Sequence, residues 1–136
     1  MRSSIFVAVC LAGLCGLVAA AEPAPHAWLT EHPVIQEMHQ RHNAERARWG
    51  LYPLQLDPEL CLQAQRHATY MADTGWYAHS GYGPENIHTG PRSAADAVNA
   101  WIWSPAHHRN MLYGGSRAGY GYQYKNGHLM WVSQFR

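Results

Sequence analysis

The chain has 136 residues, a formal net charge of +1, and only 14% charged side chains against 47% hydrophobic and 12% aromatic ones. Its length suggests one domain, and without a basic excess to neutralise phosphates it is not expected to bind nucleic acid. Its apolar content excludes a disordered chain, and the one compositional oddity is ten histidines beside ten Lys and Arg.

Residues 1–21 read as a secretory signal peptide. Arg2 supplies a positive start, Ile5 to Val18 is apolar apart from small residues, and Val18-Ala19-Ala20 or Ala19-Ala20-Ala21 offers a small-x-small cleavage site. The apolar run is short for a membrane span, which needs about 20 residues. The expected destination is therefore extracellular or periplasmic, with no membrane span once the signal is removed. The remaining 115 residues carry nine basic and nine acidic side chains, a formal charge of zero. Cys61 is the one cysteine left, so the exported domain must hold itself with a core rather than an internal disulfide. That core should be aromatic-rich, with fifteen Phe, Trp and Tyr against fourteen Val, Ile and Leu.

Residues 22–33 read as an N-terminal linker and 34–136 as the folded domain. The first helix is expected from about Thr30 to Trp49, with Thr30 as cap, Pro33 in the first turn, Val34, Ile35, Met38, His42 and Trp49 near one face, and Gly50 as terminator. On it, His42 should pack while His39 and Glu45 stay solvated. The second helix starts at an Asp57 cap with Pro58 and Glu59 behind it. Its stripe is Leu60, Ala64, His67, Ala68 and Met71, which makes His67 a core histidine and Cys61 a buried thiol. Gly75 closes it, and residues 76–90 read as a structured loop.

A third helix follows a Ser93 cap, paired with Asp96, and runs to about Trp103. Ser104-Pro105 restarts a short helix to Leu112, in which the 100° rotation per residue separates His107 from a surface His108. The period then becomes two through Ala118, Tyr120, Tyr122 and Tyr124. Asn126-Gly127 is a hairpin turn, and Leu129 to Phe135 returns as the second strand. The pattern is an α+β domain, helices packed on a small antiparallel sheet.

Five segments occur in an order that resembles the CAP superfamily of cysteine-rich secretory, antigen-5 and pathogenesis-related proteins. They are His42-Asn43-x-x-Arg46; Ala64-x-x-His67-Ala68-x-x-Met71; His79-Ser80 with Glu85-Asn86-Ile87; Trp101-x-x-Ser104-Pro105-x-His107-x-x-Asn110-Met111-Leu112; and Gly119-Tyr120-Gly121 with Trp131 to Phe135. The chain is most similar to the short bacterial, disulfide-free branch. The resemblance implies an α-β-α sandwich and a cleft whose residues carry over to His79, Glu85 and His107. A second glutamate common on the family helix is absent from Trp101-Ile102-Trp103-Ser104, and Pro84 stands where a glycine is usual.

Two imidazoles and a carboxylate suit a divalent metal such as Zn²⁺, and a metal-bound water would be a nucleophile. His79, Glu85 and His107 are thus the candidates for metal binding and for catalysis alike. The expected function is a secreted binding or interaction module, with a lipid, cell-envelope or protein ligand and either a divalent metal or no cofactor. The alternative is a metal-dependent, protease-like hydrolase using the same cleft. Ser80 and Ser104 lack a nucleophile elbow, and a glycosidase pair of carboxylates is missing.

Overall fold

The computed structural model describes residues 22–136. The expected signal peptide lies outside the described residues. Among the described residues, no helix is long and apolar enough to cross a membrane.

The N-terminal segment is more ordered than its composition predicts. Ala27–Thr30 forms a short helix, α1, which buries Leu29. The first long helix, α2 (Pro33–Arg48), begins after His32, whose Nδ1 accepts from the Val34 amide, with Pro33 in the first turn. Pro33 lacks an N–H to continue a helix from α1 but fits a first turn, so the helix expected from a Thr30 cap starts at Pro33 with His32 as its cap, and Thr30 instead ends α1. After β1 (Gln55–Leu56) comes α3 (Pro58–Thr74), capped as expected: Asp57 accepts from the amides of Glu59 and Leu60. Asp57 also receives Arg117 and Arg136, at 3.0 and 3.2 Å, and so ties the start of α3 to both ends of the C-terminal strand pair.

Residues expected as loop contain a strand, β2 (Glu85–Thr89). Then follow α4 (Ala94–Trp103), α5 (Pro105–Met111), β3 (Arg117–Lys125) and β4 (His128–Phe135). Ser93 caps α4 by accepting from Asp96 N while its hydroxyl donates to the Asp96 carboxylate. Asn126 and Gly127 both have positive φ, the two-residue turn their sequence favours.

The sheet order is β1-β3-β4-β2. β2, β4 and β3 are antiparallel, and β1 adds a two-residue parallel pairing along β3, so the sheet is mixed. Alternate side chains leave opposite faces. On one face Ile87, Met130 and Val132 meet Ala64, Ala68 and Met71 of α3. On the other, Tyr120, Trp131 and Phe135 meet Ile35 and Met38 of α2 and Val98 and Trp101 of α4. The result is the expected α-β-α sandwich, with α3 alone on one face.

The helix α3 lies close on β3 because of two glycines. A Cβ built at Gly119 would fall on the backbone of Leu60 and Cys61, and one at Gly121 on the backbone of Ala64 and Gln65. Both free sheet edges carry side chains on their backbone groups. Gln65 donates to the Tyr122 carbonyl and accepts from the Tyr122 amide, at 2.8 and 3.1 Å. On β2, the Tyr77 hydroxyl donates to the Ile87 carbonyl and Asn110 Nδ2 to the Glu85 carbonyl. Such coverage blocks the pairing with further strands that bare edges invite.

Candidate functional site

The site forms where the first residue of β2 faces α3. Position 85 shares a sheet face with Ile87, so Glu85 points at the helix rather than at solvent. Its side chain is 2% exposed. Glu85 Oε1 accepts from the Ser80 amide (2.9 Å) and from His79 Nδ1–H (2.9 Å). Its Oε2 accepts from the Ser80 hydroxyl (2.6 Å) and from Gln134 Nε2 (2.9 Å). Burial by itself would push this carboxyl up, but donation from Ser80, Gln134 and His79 outweighs that and holds it below its ordinary range. Glu85 is therefore a carboxylate whose charge is matched by four donors within the chain.

Most of those donors belong to the segment between α3 and β2, so Glu85 clasps that segment to the sheet. A second latch comes from the helix. His67 Nε2–H donates to the Ala78 carbonyl at 2.7 Å, and Glu85 Oε1 is 3.9 Å from the same nitrogen. His67 is thus not a buried core residue as its stripe suggested. It lies at the border of the apolar face, and it joins helix, loop and carboxylate.

The latched segment and α3 enclose an open cleft of about 600 Å³. The helix wall carries Gln63, Arg66, His67 and Tyr70. These are four positions at i, i+3, i+4 and i+7, one face of a helix. The loop wall carries Trp76, Ala78, His79, Ser80 and Tyr82. Of the sequence candidates, His79 and Glu85 meet here. Arg66, Tyr70, Trp76 and Tyr82 escaped the sequence reading. Gln63, Arg66 and Tyr70 follow one another at helical spacing beside the apolar stripe that contains His67, which is the signal that could have found them.

His107 is placed differently. It lies half-buried on α5 at the outer edge of β2, where its backbone carbonyl accepts from Asn86 Nδ2 at 3.0 Å. Burial, then repulsion from His88 and His79, pushes its pKa down. Asn110 completes this junction by donating to Asn86 Oδ1. Its neighbour His108, expected at the surface, instead donates to Glu45 Oε1 at 2.9 Å. Glu45 is itself buried and also accepts from Trp49 Nε1, so its expected solvation is corrected too. Both departures arise because α5 packs near the end of α2 and lets one carboxylate gather donors from two helices. His42 is fully buried, and its Nε2–H donates to the Met111 carbonyl beside Arg46.

The three candidates have the right atom types for Zn²⁺, and with Nδ1–H given to Glu85 the Nε2 of His79 keeps a free lone pair. His79 Nδ1 and both Glu85 oxygens are engaged with one another and with Ser80 and Gln134. Among the described residues, no group of three or more His, Cys, Asp or Glu side chains is gathered for one ion. As folded, the cluster is a hydrogen-bonded clasp.

Comparison with known proteins agrees with the order of these elements. The model of the cysteine-rich secretory protein family, CAP, matches residues 39–135. An uncharacterized Bacillus subtilis (strain 168) protein, YkwD, is 31% identical over 112 residues, covering 68% of this chain and 43% of the relative. The chain thus spans under half the length of that relative. Among solved structures, an outer surface protein from Borrelia burgdorferi aligns with a TM-score of 0.66 at 18% identity, over 74% of this chain and 89% of that one. An extracellular, SCP-domain protein from Bacillus anthracis str. Ames aligns at 0.61 and 19% identity, over 75% and 40%. The structure of NaASP2 with Zn²⁺ aligns at 0.57 and 15% identity, over 74% and 77%. With its family model covering most of the described chain and the α-β-α sandwich in place, the chain belongs to the CAP family.

Proposed function

We propose that this CAP domain is an exported binding module whose ligand site is the cleft between α3 and the segment 76–82. The observation that carries the reading is the state of Glu85. A general base or a metal ligand needs a free lone pair, whereas this carboxylate accepts two hydrogen bonds at each oxygen. Its role is to hold the loop wall in a ligand-ready shape, which lowers the ordering cost of binding. Export is supported by the leader-like residues 1–21 and by relatives described as an outer surface and an extracellular protein. A lipid, a cell-envelope component or a protein is the ligand range.

A second reading is metal-dependent hydrolysis at His79, Glu85 and His107. It is favoured by the donor chemistry and by the Zn²⁺ in the NaASP2 structure. It requires Glu85 to give up donors it now holds. The two readings separate in one experiment. The purified protein is loaded with Zn²⁺, dialysed, and assayed for bound metal and for hydrolysis of peptide and ester panels, beside His107→Ala. Substoichiometric metal and no hydrolysis are expected. One metal per chain, with hydrolysis lost in His107→Ala, would overturn the binding-module reading.

A further inference from the structure

The chemistry of the cleft walls narrows the ligand. Three aromatic side chains border the cleft with much of their surface uncovered: Tyr70 53%, Trp76 67% and Tyr82 80% exposed. Large apolar rings held at the surface around a concave site mark a binding surface rather than a core. Tyr70 is held in place by stacking on His67, with centroids 6.3 Å apart and planes 15° from parallel. Gln63 and Arg66 line the same cleft and bring hydrogen-bonding groups to it.

The charge is equally specific. Among the described residues, Arg66 makes no ion pair and no side-chain hydrogen bond. The nearby acids are engaged: Glu85 is buried behind the loop, and Asp73 is bound by Lys125 at 2.7 Å. The cleft thus offers one uncompensated, fork-shaped cation beside aromatic faces. A guanidinium of this kind matches a carboxylate in a bidentate way.

A peptide strand is disfavoured, because the backbone edges it would pair with are already covered by Gln65, Tyr77 and Asn110. A lipid chain wants an enclosed apolar tunnel, and this cleft is open and half polar. A ring with apolar C–H faces, an equator of hydroxyls and one carboxylate fits all three features. Resting on the binding-module reading above, we propose that the cleft binds an acidic saccharide, with ring faces on Trp76, Tyr82 and Tyr70 and the carboxylate on Arg66.

The test uses the purified protein with two acidic probes, trigalacturonate and the N-acetylglucosaminyl–N-acetylmuramic acid disaccharide. Cellotriose and chitobiose, which lack the carboxylates, are the neutral comparators, and an acidic tetrapeptide is the competing class. Binding is followed by the indole N–H resonance of Trp76 and by calorimetry. At least one acidic saccharide should bind about tenfold or more tightly than its neutral comparator. Arg66→Gln should cost about tenfold on the acidic saccharide and abolish its preference over the neutral comparator, and Trp76→Ala should weaken both about fivefold to tenfold. Unchanged urea midpoints would show that these exposed substitutions leave the fold intact.

Failure of both acidic saccharides to bind, equal binding of neutral ones, or preference for the tetrapeptide would each overturn the assignment. Cleavage of a bound probe, read as new reducing ends, would support the ligand class and overturn the binding-module reading. The two claims therefore fail separately.

Discussion

Gln65 pairs with Tyr122 as a strand would: its amide donates to the Tyr122 carbonyl and accepts from the Tyr122 amide. The side chain of a helix thereby terminates a sheet. Gln65→Ala removes both bonds and uncovers the β3 edge. A loss of about 1–2 kcal/mol in unfolding free energy is expected, at unchanged urea m-value. Concentration-dependent light scattering should rise as well, because the bare edge can pair with another chain. Wild-type stability with wild-type scattering would show that the clamp does neither job.

Gly119 and Gly121 are required by contact, not by backbone angle. Alanine at either would drive a methyl group into the backbone of α3, which cannot move aside like a flexible side chain. Each substitution should cost about 3 kcal/mol, at the upper end of overpacking. A thermal melt would show it, and an unshifted midpoint would mean that helix and sheet can separate locally at no cost.

Stability should depend on pH in two windows. Burial, partly offset by the Met111 hydrogen bond and reinforced by Arg46, lowers the pKa of His42 from 6.5 to about 4. The unfolded chain therefore binds this proton more readily, so stability is lost as pH falls from 6.5 towards 4, by about 3 kcal/mol. Glu85, also depressed, contributes stability that is present above the ordinary 4.5 and lost as pH falls further. His42→Gln should reduce the slope in the upper window, which His39, His88 and His107 share, and Glu85→Gln that in the lower one, which Glu45 and Asp57 share, in urea titrations across the acid range up to neutrality. A slope unaffected by either substitution would assign the acid sensitivity elsewhere.

Cys61 should be inert in the folded state. Burial, with Asp57 nearby, raises its thiol to about 11, although a hydrogen bond with the Tyr120 backbone works against this. The thiolate is the reactive form, so alkylation by iodoacetamide at mildly alkaline pH should be negligible natively and complete in urea. Rapid native labelling would mean that the α3–β3 contact opens readily.

Much of this architecture is a property of the sequence alone. Asp57-Pro58, Ser93 with Asp96, and Asn126-Gly127 satisfy backbone groups from within a few residues, and their structures follow from local chemistry. The apolar stripes of α3 and α4 and the alternation through Tyr120 set the layers. The ordered motifs from His42 to Phe135 are enough to place the chain in its family. Only the tertiary structure decided β2, since Glu-Asn-Ile-His-Thr has no alternation and becomes a strand by pairing with β4, more than 40 residues away. It also decided His67, whose helical position looks apolar until Ala78 and Glu85 are brought beside it. His79 and Glu85 were legible as residues of one cleft, but their state was not. Whether a carboxylate is free or engaged depends on Ser80 and Gln134, and the bond to Gln134 exists only because β4 returns alongside β2.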